Sequence, residues 1–420
     1  MEMGRERVEA GALKVLFTHQ NCPGQFKHLA PAMVRRGDEV VFITQKGKPA
    51  LSGVRKLEYA PHRSVTPKIH PYLVGSEAAV LNAQAVARIG FQLRDQGFCP
   101  DVMIGNPGWG ETLFLKDVWP QTPLISMSEF YYRGRGADVG FDPEFDSGAD
   151  AALRARTRAG MHLLAIEAAD AAYAPTRWQR DQFPEVYRSK IRVIHDGIDC
   201  EALQPDDGAT FTLPSGKTLG RGDEVLTYVS RNLEPYRGFH TFMRALPEVL
   251  KRRPDAQVVI VGGDGVSYGS AAPDGKSWRA HLLDEIGPLP DRVHFVGRLP
   301  YRDYVRAIQV SSVHAYLTYP FVLSWSVLEV MAVGGFVVGS ATPPVEEVIA
   351  EGETGWLVDF FDEKALAIRL AEALEARENV EDIRLAARRL VTTRYALQDC
   401  LKAQLDLVAE VTNPSSLTGD

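Results

Sequence analysis

The stretch FVLSWSVLEVMAVGG (321–335) runs straight into FVVGSAT (336–342). A loop leads into a helix that starts near Ser324 to Ser326, and two glycines break the apolar run before a β-rich strand begins. Glu329 lies in the first turns of that helix, inside an otherwise apolar run. A helix start exposes backbone N–H groups and the positive end of the dipole, which attract an anion. Glu329 either accepts hydrogen bonds from hydroxyls, as a carboxylate does from a ribose, or merely satisfies the dipole. Taken alone, the stretch favours the second reading.

Outward from it the same rhythm repeats. KVLFTH (14–19), DEVVFIT (38–44), DVMIGN (101–106), PLISMS (123–128), AAYAPT (171–176) and IRVIHDG (191–197) read as strands. A helix is expected in QFKHLAPAMVRRG, with Phe26, Leu29, Met33 and Val34 on one face and a stop at Gly37. After the polar, Gly- and Pro-rich run 204–222 the pattern restarts with EVLTYVS (224–230), AQVVIVGG (256–263), RVHFVG (292–297), VHAYLTY (313–319) and FVVGSAT. Short apolar strands alternating with helices mean parallel sheets covered on both faces. The expected organisation is α/β, with two Rossmann-like, doubly wound parallel-sheet domains facing a central cleft. Their bounds are 13–203 and 223–385, joined by a linker 204–222. Helices in 386–411 return to the first domain, and 412–420 form a disordered tail.

Bulk properties narrow the function. The 420 residues allow two or three domains. A net charge of −7 argues against a general nucleic-acid binder, which needs a cationic face. Cys22, Cys99, Cys200 and Cys400 form no C-x-x-C pair, so no zinc site or disulfide framework is indicated and a reduced cytoplasmic setting is expected. MEMGRERVEAG lacks the apolar core of a signal peptide. Val330 to Val345 is too short and too broken for a membrane span. Docking on the inner face of a membrane stays open.

Several strand ends carry chemistry. RNLEPYRG (231–238) holds Arg231 and Arg237, whose guanidinium groups can fork onto a diphosphate or can be solvated surface charges. The loop after VIVGGDG (259–265) does not fit the G-x-G-x-x-G register of a dinucleotide site. HQNCPG (19–24) ends the first strand, and Gly24 would let backbone approach a ligand. NPGWGE (106–111) offers Trp109 and Glu111, and SMSEFYYR (126–133) offers Glu129, Tyr131 and Tyr132. Mixed rings and polar groups suit a sugar. Each segment is equally consistent with a structural role. His195 and Asp196 are adjacent on a strand and should point apart. There is no P-loop, H-E-x-x-H or Asp-x-Asp, and no metal site is expected.

Together, SVLEVMAVGGFVVGSATPPVEEVIAEGETGWLVDFFD (326–362), VSRNLEPYRGF and KIRVIHDGID resemble the retaining glycosyltransferases of family 4, which have the GT-B architecture. The resemblance runs over roughly 13–410. It implies that Glu329 binds the donor ribose and that Arg231 and Arg237 stabilise the diphosphate. Val322, Leu323 and Ser324 would offer backbone N–H groups, Gly24 would lie near the diphosphate, and Arg298 and Leu299 would contact the base. His19, Asn106, Trp109, Glu111, Tyr131 and Tyr132 are then expected on the acceptor side. Two departures stand out. The family pairs Glu329 with a second glutamate where this chain has Phe321, and often has His where this chain has Glu129. Glu129 is therefore a candidate catalytic residue. The expected activity is transfer of a sugar from a nucleotide-diphosphate sugar to a hydroxyl, with no further cofactor and no nucleic acid. The alternatives are a nucleotide-sugar epimerase or hydrolase, or a non-catalytic sugar-nucleotide binder.

Overall fold

The computed structural model describes residues 11–145 and 148–413. The N-terminal run 1–10 and most of the expected tail, 414–420, lie outside the described residues. The chain divides into two compact units. One comprises Met1–Gly134, Ser147–Asp196 and Leu401–Asp420; the other comprises Arg135–Asp146 and Gly197–Cys400.

The first unit is built on a seven-stranded parallel sheet of order β3-β2-β1-β4-β5-β6-β7. Its strands are β1 (Lys14–His19), β2 (Glu39–Gln45), β3 (Arg55–Tyr59), β4 (Val102–Gly105), β5 (Leu124–Met127), β6 (Ala171–Ala174) and β7 (Ile191–Val193). Strand pleating sends alternate side chains to opposite faces. Val15 and Phe17 accordingly join a cluster with Phe26, Met33 and Phe42, while Leu16 joins Val41, Ile43, Tyr59 and Trp119 on the other face. The helix expected as one piece in 25–37 is split. Gly24–Lys27 form a 3-10 turn, Phe26 leaves helical geometry, and the α-helix runs Leu29–Arg36.

The second unit holds a two-stranded antiparallel hairpin, β8 (Thr210–Thr212) and β9 (Thr218–Gly220). Beside it is a six-stranded parallel sheet of order β12-β11-β10-β13-β14-β15. These strands are β10 (Val225–Asn232), β11 (Gln257–Gly263), β12 (Val293–Gly297), β13 (Val313–Tyr316), β14 (Val337–Ser340) and β15 (Trp356–Val358). In both parallel sheets the first strand in sequence sits where the strand order reverses, β1 between β2 and β4, β10 between β11 and β13. Ligands of open α/β sheets gather at the carboxyl ends around such positions.

Three boundaries need correction. Residues 204–222 are not a free linker: Ala209, Phe211, Leu213 and Leu219 are buried against Val225, Val259, Val261 and Ala307. Residues 135–145 belong to the second unit although they interrupt the first in sequence. The helix Glu381–Arg394 stays with the second unit, with Ala387 and Val391 in the core of Leu328 and Met331. From Leu401 on, the final helix belongs to the first unit, with Leu407 and Val408 in its core. Among the described residues no helix is long and apolar enough to cross a membrane.

Candidate active site

In the second unit the carboxyl ends of β10 and β13 are joined by Arg237. This guanidinium is 7% exposed, and its Nη1 donates to Thr318 Oγ1 at 2.8 Å and to the Val322 carbonyl at 2.9 Å. Its carbon lies 5.4 Å from the centre of the Tyr268 ring. Arg237 therefore shapes the loop 318–322 as well as offering charge. Arg231 differs: it is exposed and makes no hydrogen bond or ion pair with the described residues. Gly238 lets this turn close, since its φ is +64° and a Cβ there would sit 2.3 Å from Leu317.

Between the two arginines, buried Glu234 accepts backbone N–H bonds from Ser267 and Gly269 at 3.1 Å and from Tyr268 at 3.2 Å. The glycine loop after β11 thus carries an internal carboxylate on its N–H groups. Arg298 is exposed and donates to Asn232 Oδ1 at 2.7 Å, while Leu299 packs against the hairpin core. Phe321 lies in an aromatic cluster, 5.0 Å from the Tyr268 ring and 5.5 Å from that of Tyr236.

The helix Trp325–Ala332 begins as the sequence indicates, with Ser324 Oγ accepting from the Ser326 N–H at 3.3 Å. The Ser324 N–H is not free for a ligand: it donates to Tyr316 OH at 2.8 Å. Leu323 points its side chain into the core, and the Val322 and Leu323 N–H groups make no hydrogen bond with the described residues. Glu329 is 7% exposed and is neither free nor a dipole partner alone. Its Oε1 accepts from Tyr301 OH at 3.1 Å and its Oε2 from Tyr304 OH at 2.7 Å.

In the first unit, four expected or neighbouring residues form one polar chain at the carboxyl ends of β1, β4 and β5. The Asn21 N–H donates to His19 Nδ1 at 2.8 Å, so His19 Nε2 carries the proton and donates to Gln25 Oε1 at 2.6 Å. Gln25 Nε2 then donates to Glu129 Oε1 at 2.8 Å, and Asn106 Nδ2 to Glu129 Oε2 at 3.1 Å. Burial lowers the His19 pKa to about 4, so the ring is neutral. The Trp109 ring lies 5.1 Å from the His19 ring. Gly24 is required beside it, because its φ is +54° and a Cβ would meet the imidazole at 2.7 Å.

Three further acceptor candidates sit as follows. Glu111 is fully buried, with Oε1 accepting from Tyr59 OH at 2.6 Å. It is not available to a ligand, and burial raises its pKa to about 7. Tyr131 packs on Phe183 at 5.2 Å, and Tyr132 lies under the Arg158 guanidinium at 3.8 Å.

Sequence reasoning missed Gln25, Glu234, Tyr268, Tyr301 and Tyr304, and also the segment 135–145. In that segment Asp138 accepts from Tyr236 OH at 2.9 Å, and Asp142 accepts from Tyr319 OH at 2.7 Å and pairs with His240 at 3.1 Å. Burial alone would raise the Asp142 pKa; hydrogen bonds from His240 and Tyr319 outweigh it and hold it below the usual carboxylate range. Among the described residues, Asp142, Glu144 and His240 are the group whose ligand atoms lie close enough for a metal, within 4.8 Å. Glu144, however, forks onto Arg244 at 2.6 and 2.7 Å, and Asp142 Oδ2 already has its two partners. These contacts make an internal ion-pair network out of the donor set.

Residues 36–203 match the profile described as the glycosyl transferase family 4 group, and residues 215–390 match glycosyl transferases group 1. With both profiles in this order, the chain belongs to the family 4-like glycosyltransferases. It is similar to a D-inositol 3-phosphate glycosyltransferase of Mycobacterium sp. (strain KMS), 28% identical over 47% of this chain and 43% of that protein. It is also similar to the protein of the same name from Corynebacterium efficiens, 25% identical over 82% of this chain and 80% of that one. The chain thus spans less than half the length of the first of these relatives. By structure it is similar to Anabaena HepE in complex with UDP-glucose, with TM-score 0.67, 16% identity and coverage of 95% and 100%. Sucrose-phosphate synthase from Thermosynechococcus elongatus gives TM-score 0.72, 16% identity and coverage of 95% and 99%. The fold is GT-B, with two Rossmann-like parallel-sheet domains.

Proposed function

We propose that the chain is a retaining glycosyltransferase that moves a sugar from a nucleotide-diphosphate sugar to an acceptor hydroxyl. The observation that carries this reading is the cationic end of β10 and β13. There, exposed and unpaired Arg231 lies at the carboxyl end of β10, and Arg237 ties its own turn to the loop bearing the open Val322 and Leu323 N–H groups. Two guanidiniums and two N–H donors suit a diphosphate. The UDP-glucose held by Anabaena HepE supports a nucleotide-sugar donor.

In this reading Glu329 receives the ribose, and Arg298 and Leu299 flank the base. The bond from the anomeric carbon to the diphosphate breaks while a bond to the acceptor oxygen forms on the same face. The hydroxyl proton passes to a phosphate oxygen, and Arg231 stabilises the charge that gathers on the leaving group. In the first unit, Glu129, held by Gln25 and Asn106, is the candidate group for orienting an acceptor, with His19, Asn106 and Trp109 as candidate acceptor contacts. No cofactor or metal enters. The described cysteines are all free, in keeping with a cytoplasmic reaction, and association with the inner membrane face would bring a lipid-linked acceptor within reach.

The test is product analysis. The protein is incubated with UDP-, GDP-, ADP- and TDP-sugars, with and without saccharide and inositol phosphate acceptors. Acceptor-dependent release of the diphosphate, with the anomeric configuration kept, is the expected result. Release without acceptor would mark a hydrolase, and binding with no release a non-catalytic binder; either contradicts the reading.

A further inference from the structure

The surroundings of Glu329 carry one more step, which rests on the nucleotide-sugar reading. A carboxylate with 7% exposure needs hydrogen-bond partners inside the protein. Here two phenols from one helix do this. Tyr301 and Tyr304 open the helix Tyr301–Gln309 and, three residues apart, share a face. They are not equivalent. Tyr304 is half-buried and bonds Oε2 at 2.7 Å, whereas Tyr301 is 56% exposed and bonds Oε1 at 3.1 Å. Burial and the neighbouring carboxylate raise both phenols' pKa, so both remain O–H donors.

We propose that Tyr301 and Tyr304 form a clasp on Glu329 in which Tyr301 holds the place of a ribose hydroxyl and leaves when the donor nucleotide binds, while Tyr304 stays and keeps the carboxylate aimed. A carboxylate has about four lone-pair directions, so Oε1 can take a vicinal diol once the outer phenol swings away. An exposed phenol loses little by returning to water, because a protein hydrogen bond there only replaces one to solvent. The inner bond differs: without Tyr304, Oε2 would lose the phenol donor that it has inside the protein. Tyr301 is thus a competitor of the ribose, and Tyr304 is a positioning residue for Glu329.

The experiment is calorimetric titration of the full chain and its Tyr301→Phe and Tyr304→Phe variants with UDP, GDP and ADP, each beside its 2′-deoxy counterpart. Thermal melts confirm that each variant is folded. Removing the competing phenol should tighten ribonucleotide binding about twofold to tenfold. Tyr304→Phe should weaken it by a similar factor and reduce the preference for ribonucleotide over 2′-deoxynucleotide, a ratio that a merely structural change would leave alone. If wild type binds but both variants weaken equally, or Tyr301→Phe has no effect, the clasp is refuted while the nucleotide reading stands. If no nucleotide binds wild type, the donor reading falls and the clasp falls with it.

Discussion

Gly24 and His19 show how tightly the first unit's polar chain is set. An added methyl at Gly24 would meet the His19 ring at 2.7 Å in a backbone geometry that L-residues rarely adopt. Gly24→Ala should displace the imidazole and release Gln25 from Glu129. The expected result is at least about a tenfold loss of turnover with an unchanged circular-dichroism spectrum, in line with general losses from misplaced catalytic groups. Unchanged turnover would separate the chain from catalysis. Glu111 is a second residue with a measurable signature. Its carboxyl titrates near 4.5 when unfolded and about 7 when folded. Between those values the unfolded chain has released a proton that the folded chain keeps, so stability falls as pH rises through the window. The loss is about 3 kcal/mol once pH exceeds 7. Because the buried histidines make the protein gain stability over the same range and Glu111 opposes them, urea unfolding at pH 5 and pH 8 should show a larger gain toward pH 8 in Glu111→Gln than in wild type; equal gains would contradict the assignment.

At the scale of elements, the hairpin β8–β9 separates a core piece from a linker. Phe211 is 5% exposed, and Phe211→Ala should cost about 3–5 kcal/mol in denaturant unfolding, as core Phe truncations do. A change within ~0.5 kcal/mol would return the segment to linker status. The hairpin was hard to read because TFTLPSGKTLG is rich in Thr, Gly and other polar or turn residues, and the burial of Phe211, Leu213 and Leu219 appears only once Val225 and Val261 are brought beside them. Edge strand β3, RKLEY, hides for a related reason, since charged residues protect an edge and erase the apolar run that marks central strands such as KVLFTH. The places of Glu329, Arg231 and Gly24, in a helix and at strand ends, were legible because local pattern marks those elements. Tyr301, Tyr304 and Gln25 were not, because their partners depend on helix and loop register in space. Glu111 was misread because a strand-end position does not tell whether a side chain turns outward or toward Tyr59. The contact of Asp142 with Tyr319 spans 177 positions, beyond any local pattern.

For the whole molecule, four buried histidines set the response to acid. Burial lowers the pKa of His19 to about 4 and those of His162, His195 and His314 to about 3. The unfolded chain takes up protons near pH 6.5 that the folded chain refuses, so stability is lost as pH falls from 6.5 toward 4. On the order of 3 kcal/mol per histidine is at stake, against a typical total of about 5–15 kcal/mol. Melting temperature should therefore drop steeply between pH 7 and pH 4.5, despite the opposing gain from Glu111; a flat profile would contradict the burial of these rings. The central claim concerns charge rather than stability: a diphosphate sits on Arg231. Calorimetric titration of Arg231→Ala with UDP, GDP and ADP tests it most directly. The account predicts that the best ligand of wild type binds the variant about tenfold to a hundredfold more weakly, the loss of a charge-assisted hydrogen bond, with an unchanged melting temperature in the absence of ligand. Equal affinity in the two proteins would contradict it.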